Sequence, residues 1–184
     1  MTARRLAFAA SLVLGALAGA VPAHAEVLQS SPAGFVVGGS ATTAASAEEV
    51  WYFLVQPAGW WNGEHTWSGD AANLRLEPEA GGCFCEDMPQ GGSVEHMRVI
   101  YAAPGEMLRM SGALGPLQSE AVVGTLTVEL SVAPDGSGGT EVSWTYVVGG
   151  HARLALPEAA GGVDMVLGEQ LRRMVARIAN PDAE

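Results

Sequence analysis

The stretch GGVDMVLGEQLRRMV, residues 161–175, repeats apolar side chains at three- and four-residue spacing, which is the period of an amphipathic helix. Continued toward the carboxyl terminus, the pattern predicts one long helix from about Gly161 to Ala179. Asp164 near its start and Arg177 near its end suit the helix dipole. The apolar positions are Val163, Val166, Leu167, Leu171, Met174 and Ile178. Such a helix needs an apolar surface to cover, and the preceding segment must supply it.

The chain between Ala72 and Val148 alternates apolar and polar residues, the period of strands with one buried face. Short, glycine-rich links such as 134–139 are typical of hairpins, so the sheet is predicted to be antiparallel. The predicted strands are 74–77, 83–87, 94–102, 107–113, 122–132 and 142–148, with a further one at 34–43. We therefore predict an α+β fold in which a curved antiparallel sheet wraps around the long C-terminal helix.

A shorter helix is predicted between the first strand and the rest of the sheet. Ser46 and Glu49 form a capping box ahead of an apolar run, and Pro57 ends the helix. Tryptophans follow at once, at positions 60 and 61.

The amino terminus has the order of a secretory signal peptide. Arg4-Arg5 precedes an apolar run at 6–21 and the small-x-small motif AHA at 23–25. The run is shorter than the ~20 residues that a membrane span needs. We expect cleavage after Ala25, a single domain over 26–184 with no membrane span, and secretion, most simply to the periplasm.

Charge narrows the range of partners. Removal of Arg4 and Arg5 leaves seven basic residues against twenty acidic ones, a formal charge of −13 for the predicted mature chain. This balance argues against nucleic acid and anionic membrane surfaces as partners.

Four stretches together resemble the START-like (SRPBCC) superfamily, in its polyketide cyclase and heat-shock-ATPase-activator-homologue branch. They are ATTAASAEEVWYFL (41–54), LRLEPEAGGCFCE (74–86), VIYAAPGEMLRMSG (99–112) and the helical stretch 161–175. The resemblance implies the helix-grip fold and a small apolar or amphipathic molecule held between sheet and long helix. We expect the wall and mouth of that cavity to include Trp67, Asp70, Trp144, Tyr146, Leu167 and Leu171.

The two cysteines, Cys83 and Cys85, point to one face of a regular strand with their α carbons ~6.6 Å apart. A disulfide needs closer β carbons, so it would require the strand to bend near Gly81-Gly82. We therefore expect thiols that are reduced or only reversibly oxidised. Buried free thiols, a disulfide and a metal site all remain open.

The register of the hairpin around these cysteines decides which side chains meet. One register pairs Cys83 with Arg98 and Cys85 with His96, so that two sulfurs and an imidazole share a face. That set suits zinc or copper, although no resident cofactor is expected if the protein is a carrier. The same register places Glu86 opposite Glu95 as a carboxylate pair. A register shifted by one residue pairs Cys85 with Glu95 instead, and the sequence does not choose between them.

Three functions follow from these candidates. The first is a secreted START-like carrier of a small apolar or amphipathic molecule. The second is a cyclase- or isomerase-like enzyme with Glu86, Glu95, His65 or His96 as acid or base. The third is a metal-binding protein that uses the cysteines and His96.

Overall fold

The computed structural model describes residues 24–182. The predicted signal peptide lies outside the described residues except for its last two, His24 and Ala25, which begin the first strand. Within this range, no helix is long and apolar enough to cross a membrane.

Eight antiparallel strands form one open, curved sheet, in the order β1-β2-β8-β7-β6-β5-β4-β3. Their bounds are β1 (His24–Ser31), β2 (Gly34–Thr43), β3 (Leu74–Leu76), β4 (Cys83–Asp87), β5 (Ser93–Ala103), β6 (Met107–Gly112), β7 (Ala121–Val132) and β8 (Thr140–His151). The predicted α+β, helix-grip class is confirmed, and the predicted strands are present. The additional strand is β1, an edge strand with mostly exposed side chains, which therefore lacks the alternation that identified the others.

The two central hairpin strands place alternate side chains in the core, as their sequences predict. On β8 the inward positions are Val142, Trp144, Tyr146 and Val148, all at most 5% exposed. On β7, Leu126 and Val128 face the same core. Burial of such apolar surface contributes the main favourable term in folding.

The short helix α1 (Ala47–Leu54) begins as predicted. The Ser46 side chain accepts a hydrogen bond from the backbone N–H of Glu49, and the Glu49 carboxylate accepts one from the Ser46 N–H at 2.8 Å. This reciprocal cap satisfies two amides that the helix itself leaves unpaired. Val50 and Leu54 then bury one face of the helix.

The long helix α2 (Leu156–Ala179) begins five residues earlier than predicted. Leu156 and Ala160 are buried, so tertiary packing extends the helix through the glycine pair that marked its predicted start. The helix lies on β1, β2 and α1. At Gly168 the approach is close, because a β carbon there would lie 2.7 Å from that of Ala25.

Residues 60–73, which we call the strap, cross from the end of α1 to β3 over the side of the molecule. Its first part is bound to α2, because Arg173 donates to the Trp60 carbonyl at 2.9 Å and the Asn62 N–H donates to Gln170 at 2.8 Å. Its second part is bound to β4 through the backbone N–H groups of Trp67 and Ser68. The strap therefore joins helix to sheet and closes one side of the space between them.

Candidate functional site

A cavity of about 530 Å³ lies between the strap, the first half of α2, β4 and β5, and the segment 114–117. This volume falls in the range of small-molecule sites, roughly 300–1,000 Å³. Its wall is mainly apolar and includes Trp61, Trp67, Leu74, Phe84, Leu114, Leu117, Leu154, Val163, Val166 and Leu167. The polar side chains on its wall are those of Glu64, His65, Thr66 and His96.

A second, smaller pocket of about 60 Å³ lies further along α2, beside its second half. Trp61 and Leu167 line both spaces, so they form the partition between them. Trp144 and Leu171 line the smaller pocket. The indole N–H of Trp144 is buried there with no hydrogen-bond partner in the described part of the chain.

Of the polar side chains on the wall of the large cavity, His96 is the most deeply buried, at 7% exposure. Its Nε2 lies 3.0 Å from Oε2 of Glu86, which is fully buried. The Glu86 carboxylate also accepts hydrogen bonds from the backbone N–H groups of Trp67, at 3.0 Å, and Ser68. Three donors therefore surround one buried carboxylate.

These contacts determine the charge states of the pair. Burial raises the pKa of Glu86, but the hydrogen bonds from Ser68, Trp67 and His96 outweigh it and hold the pKa below its usual value. Burial lowers the pKa of His96, and the neighbouring carboxylate offsets only part of that effect. At neutral pH the pair is accordingly an ionised Glu86 beside a neutral imidazole.

A β-bulge brings the pair together and resolves the register. Cys83 pairs with Arg98 and Phe84 with Met97, but Cys85 pairs with Glu95, so His96 is the additional residue on β5. Each of the two predicted registers holds on one side of the bulge. As a result both His96 and its neighbour Met97 are buried, which regular alternation would forbid. The predicted carboxylate pair of Glu86 and Glu95 does not form, because the bulge leaves Glu95 exposed on the outer face.

The outer face of the same hairpin carries the cysteines. The structure joins Cys83 and Cys85 in a disulfide, one of the three states that the sequence left open. That this bond is only reversibly formed stays a prediction. The strand is not regular here: the two α carbons lie 5.4 Å apart, inside the usual 4.4–6.8 Å range of disulfides. Nearby, the Glu95 carboxylate accepts a hydrogen bond from Arg98.

The predicted metal set of Cys83, Cys85 and His96 does not come together either. The potential ligand that lies within 4.8 Å of both sulfurs is Glu95, whereas His96 is bonded to Glu86 in the interior. A disulfide also offers no thiolate, which is the form that binds metal. The residues present therefore do not fit the proposed zinc or copper site.

The remaining predicted site residues are dispersed. His65 lies on the rim of the large cavity with its Nε2 3.2 Å from Glu169, and Trp67 and Leu167 line the same cavity. Asp70 is exposed and caps the turn at 71–73 by accepting from the Ala72 N–H.

Tyr146 is buried and supports the cavity wall from behind. Its hydroxyl donates to the Gly112 carbonyl at 3.2 Å and accepts from the Leu114 N–H at 3.2 Å. Burial raises the pKa of Tyr146 to about 12. The ring occupies the space that a side chain at Gly124 would fill. Tyr146 thus positions the 114–117 segment, whose place in the wall the sequence did not reveal.

Comparison with solved structures shows that other proteins share this fold. No family model and no curated protein matches the chain. A solved protein from Mesorhizobium loti matches with a TM-score of 0.55 at 18% identity, over 81% of this chain and 99% of that one. An uncharacterized protein from Bacillus thuringiensis gives 0.56 at 14% identity, over 79% and 99%. A protein of unknown function from Enterococcus faecalis gives 0.54 at 16%, over 85% and 78%. At these identities the likeness shows a shared fold.

Proposed function

We propose that the protein is a START-like carrier that holds a small, largely apolar molecule in the large cavity. The observation that carries this proposal is the cavity itself: an apolar wall under the long helix, with a single deeply buried polar side chain, His96. A predominantly apolar pocket with few polar groups favours binding driven by burial, with the polar groups fixing orientation. The finer placement, in the polyketide-cyclase-like branch, rests on the sequence resemblance.

We propose in addition that the carrier works outside the cytoplasm, in the periplasm. The motifs at residues 1–25 support export. The Cys83–Cys85 disulfide is in keeping with an oxidising compartment, where such bonds persist. Mass analysis of the protein from its natural host should give a chain that begins at Glu26. An intact amino terminus in the cytosolic fraction would contradict this.

A matched pair of glycines on α2 allows a sharp test of the cavity. Gly162 lines the large cavity, whereas its neighbour Gly161 does not, and a β carbon at either position meets no atom within 4 Å. Gly162→Phe should therefore place its ring in the cavity, while Gly161→Phe should place the same ring elsewhere. Both replace a helical glycine with the same residue, so their effects on helix propensity match.

The probe is an anilinonaphthalene fluorophore, titrated into the mature domain. We expect binding at micromolar levels, with a Kd weakened about tenfold or more by Gly162→Phe and nearly unchanged by Gly161→Phe. Quenching of tryptophan emission gives an independent signal, because Trp61 and Trp67 line the wall. Equal binding by the two variants would show that the probe sits outside the cavity and would remove the proposal's main support.

A second candidate is a proton-transfer enzyme that uses the same cavity, and the Glu86–His96 pair favours it. A neutral imidazole that a carboxylate orients through one nitrogen can act as a base with the other. His96 would take a proton from the carbon next to a carbonyl group of the substrate and return it, with Glu86 stabilising the transient imidazolium.

Isotope exchange tests this enzyme directly. An apolar, enolisable ketone such as para-octylacetophenone is incubated with the protein in heavy water, and deuterium uptake is measured by mass spectrometry. Catalysis predicts uptake above the buffer rate that His96→Phe abolishes and Gly161→Phe retains. If the ketone binds but deuterium uptake stays at the buffer rate, the enzyme candidate is wrong and only the carrier proposal remains.

A further inference from the structure

The most specific polar feature of the cavity is the nitrogen of His96 that Glu86 does not contact. Nε2 is bonded to Glu86, and within residues 24–182 no side chain or backbone group bonds to Nδ1. The ring packs against Phe84 at a tilt of 37°, with centroids 5.1 Å apart, in an otherwise apolar part of the wall. Nδ1 is not among the fully buried polar atoms that lack a partner in residues 24–182, so it is open to the cavity. A ligand that covers Nδ1 without bonding to it leaves a buried polar atom unpaired, which is costly, whereas a ligand that satisfies it gains selectivity.

The surroundings of Glu86 decide which kind of partner Nδ1 needs. Oε1 accepts from the Ser68 N–H, and Oε2 accepts from the Trp67 N–H as well as contacting His96. Backbone amides are obligatory donors, so the carboxylate is held as an acceptor. Nε2 of His96 must then carry the hydrogen that it shares with Glu86. In a neutral imidazole the other nitrogen, Nδ1, is left as an acceptor.

We propose that the ligand of this cavity presents a neutral hydrogen-bond donor, the hydroxyl of an alcohol or phenol, to Nδ1 of His96. This deepens the proposed carrier function and rests on it. An acceptor-only ligand, such as an ether, leaves Nδ1 unpaired. A carboxylate is disfavoured further, because it places an anion against a lone pair, with the Glu86 charge behind the ring and Glu64 on the cavity wall.

Three probes with one tail separate these cases: para-octylphenol, its methyl ether and para-octylbenzoate. Their affinities for the mature domain are measured at neutral pH by displacement of the fluorophore. We expect the phenol to bind about tenfold or more tightly than the ether, and the benzoate to bind more weakly than the phenol. Equal affinities, or a preference for the benzoate, would overturn the inference.

The variant His96→Phe keeps the ring shape and removes both nitrogens. Phenol and ether should then bind equally well, and the ether should bind more tightly than it does to the wild type, because no nitrogen is left unpaired. Because this variant also takes a donor away from Glu86 and can lower stability, a second measurement avoids it. Long-range proton–nitrogen NMR of the unliganded wild type reports the tautomer: hydrogen on Nε2 supports the inference, and hydrogen on Nδ1 overturns it.

The outcomes distinguish failure of the inference from failure of the carrier proposal. If the three probes bind equally but Gly162→Phe weakens all of them, the cavity binds ligands and the donor requirement is wrong. If none of the three probes binds and Gly162→Phe has no effect on the fluorophore, the carrier proposal itself is wrong, and the donor requirement falls with it.

Discussion

Each face of the β4–β5 hairpin carries a glutamate beside a histidine or an arginine, but one pair is buried and the other is exposed. On the inner face, Glu86 and His96 are 0% and 7% exposed, and every oxygen of the carboxylate has a donor. On the outer face, the side chains of Glu95 and Arg98 are about half exposed, at 47% and 54%. The inner pair is therefore part of a buried hydrogen-bond network, whereas the outer pair is about half exposed to solvent, which screens its charges.

The bulge at His96 makes this difference possible. Without the additional residue, alternation would place His96 and Met97 on opposite faces, and in the register that pairs Cys83 with Arg98 His96 would also lie away from Glu86. With it, the hairpin turns one more polar side chain inward, toward the cavity. Experiments that compare substitutions on the two faces therefore test whether the buried pair contributes more to stability and to the site than the exposed pair does.

Removal of the inner carboxylate should have the largest effect. Glu86→Ala leaves three donors without an acceptor: the ring N–H of His96 and the backbone N–H groups of Trp67 and Ser68. Each buried donor left unsatisfied costs about 1–3 kcal/mol, so the loss of all three bonds should cost at least about 3 kcal/mol. Urea unfolding followed by tryptophan emission measures it. The strap should also become more susceptible to proteolysis, because Glu86 binds it to the sheet.

Glu95→Ala is the matched control on the outer face, and it should change the free energy of unfolding by less than about 1 kcal/mol. A Glu86→Ala variant as stable as Glu95→Ala would show that the inner network does not stabilise the fold. It would also remove the basis for the orientation of His96.

Acid should weaken the inner pair as well. The pKa of His96 is lowered from its usual 6.5 by burial, and that of Glu86 from its usual 4.5 because its hydrogen bonds outweigh burial. Both groups bind protons more readily when unfolded, so stability falls as the pH falls. The His96 contribution is present above about 6.5 and is lost toward its lower folded pKa, and the Glu86 contribution is lost below 4.5.

The free energy of unfolding, measured at a series of pH values from neutral to acidic, shows whether stability falls with pH as expected. His96→Phe should flatten the slope that begins near the usual histidine pKa of 6.5, and Glu95→Ala should leave it unchanged. Stability that rises on acidification through this range would mean that His96 is charged in the folded protein, in conflict with its burial.

Much of the fold was predictable because it depends on periodic burial. Periodicity shows which side of an element is buried, and that is enough to predict how the elements pack. It does so for the strands at 122–132 and 142–148 and for the helix at 161–175. The edge strand β1 and the start of α2 were missed, since one lacks a buried face and the other is set by contacts of Leu156 and Ala160.

The candidate site was less predictable because it depends on a single additional residue. Alternation on β5 allows two registers, and each is satisfied on one side of His96. A bulge changes the face on which a side chain lies without changing the composition of the strand. The sequence therefore indicated Glu86, His96 and Glu95 as candidates but could not assign each of them to the inner or the outer face. Likewise, the strap contributes backbone N–H groups to Glu86, and backbone groups leave no mark in the sequence.

The outer disulfide should contribute less than the inner network. It closes a loop of only three residues, for which chain entropy predicts a stabilisation of about 1–2 kcal/mol. The double variant Cys83→Ser, Cys85→Ser should lower the free energy of unfolding by that amount, and wild type in reductant should match it. Ligand binding should be unaffected, because the bond lies on the face away from the cavity. A loss of probe binding on reduction would connect the two faces and contradict their independence.

The smallest effect is expected at the outer ion pair of Glu95 and Arg98, whose side chains are both well exposed. A double-mutant cycle with Glu95→Ala and Arg98→Ala should give a coupling of about 0.2–1 kcal/mol, which salt reduces further. The two residues are three apart on one strand, and the Arg98 guanidinium also donates to the Gly81 carbonyl at 3.1 Å. Part of any loss in Arg98→Ala is therefore independent of Glu95, and the cycle subtracts it. A coupling comparable to the loss in Glu86→Ala would mean that solvent does not screen this face, and that the contrast between the two sides of the hairpin does not arise from burial.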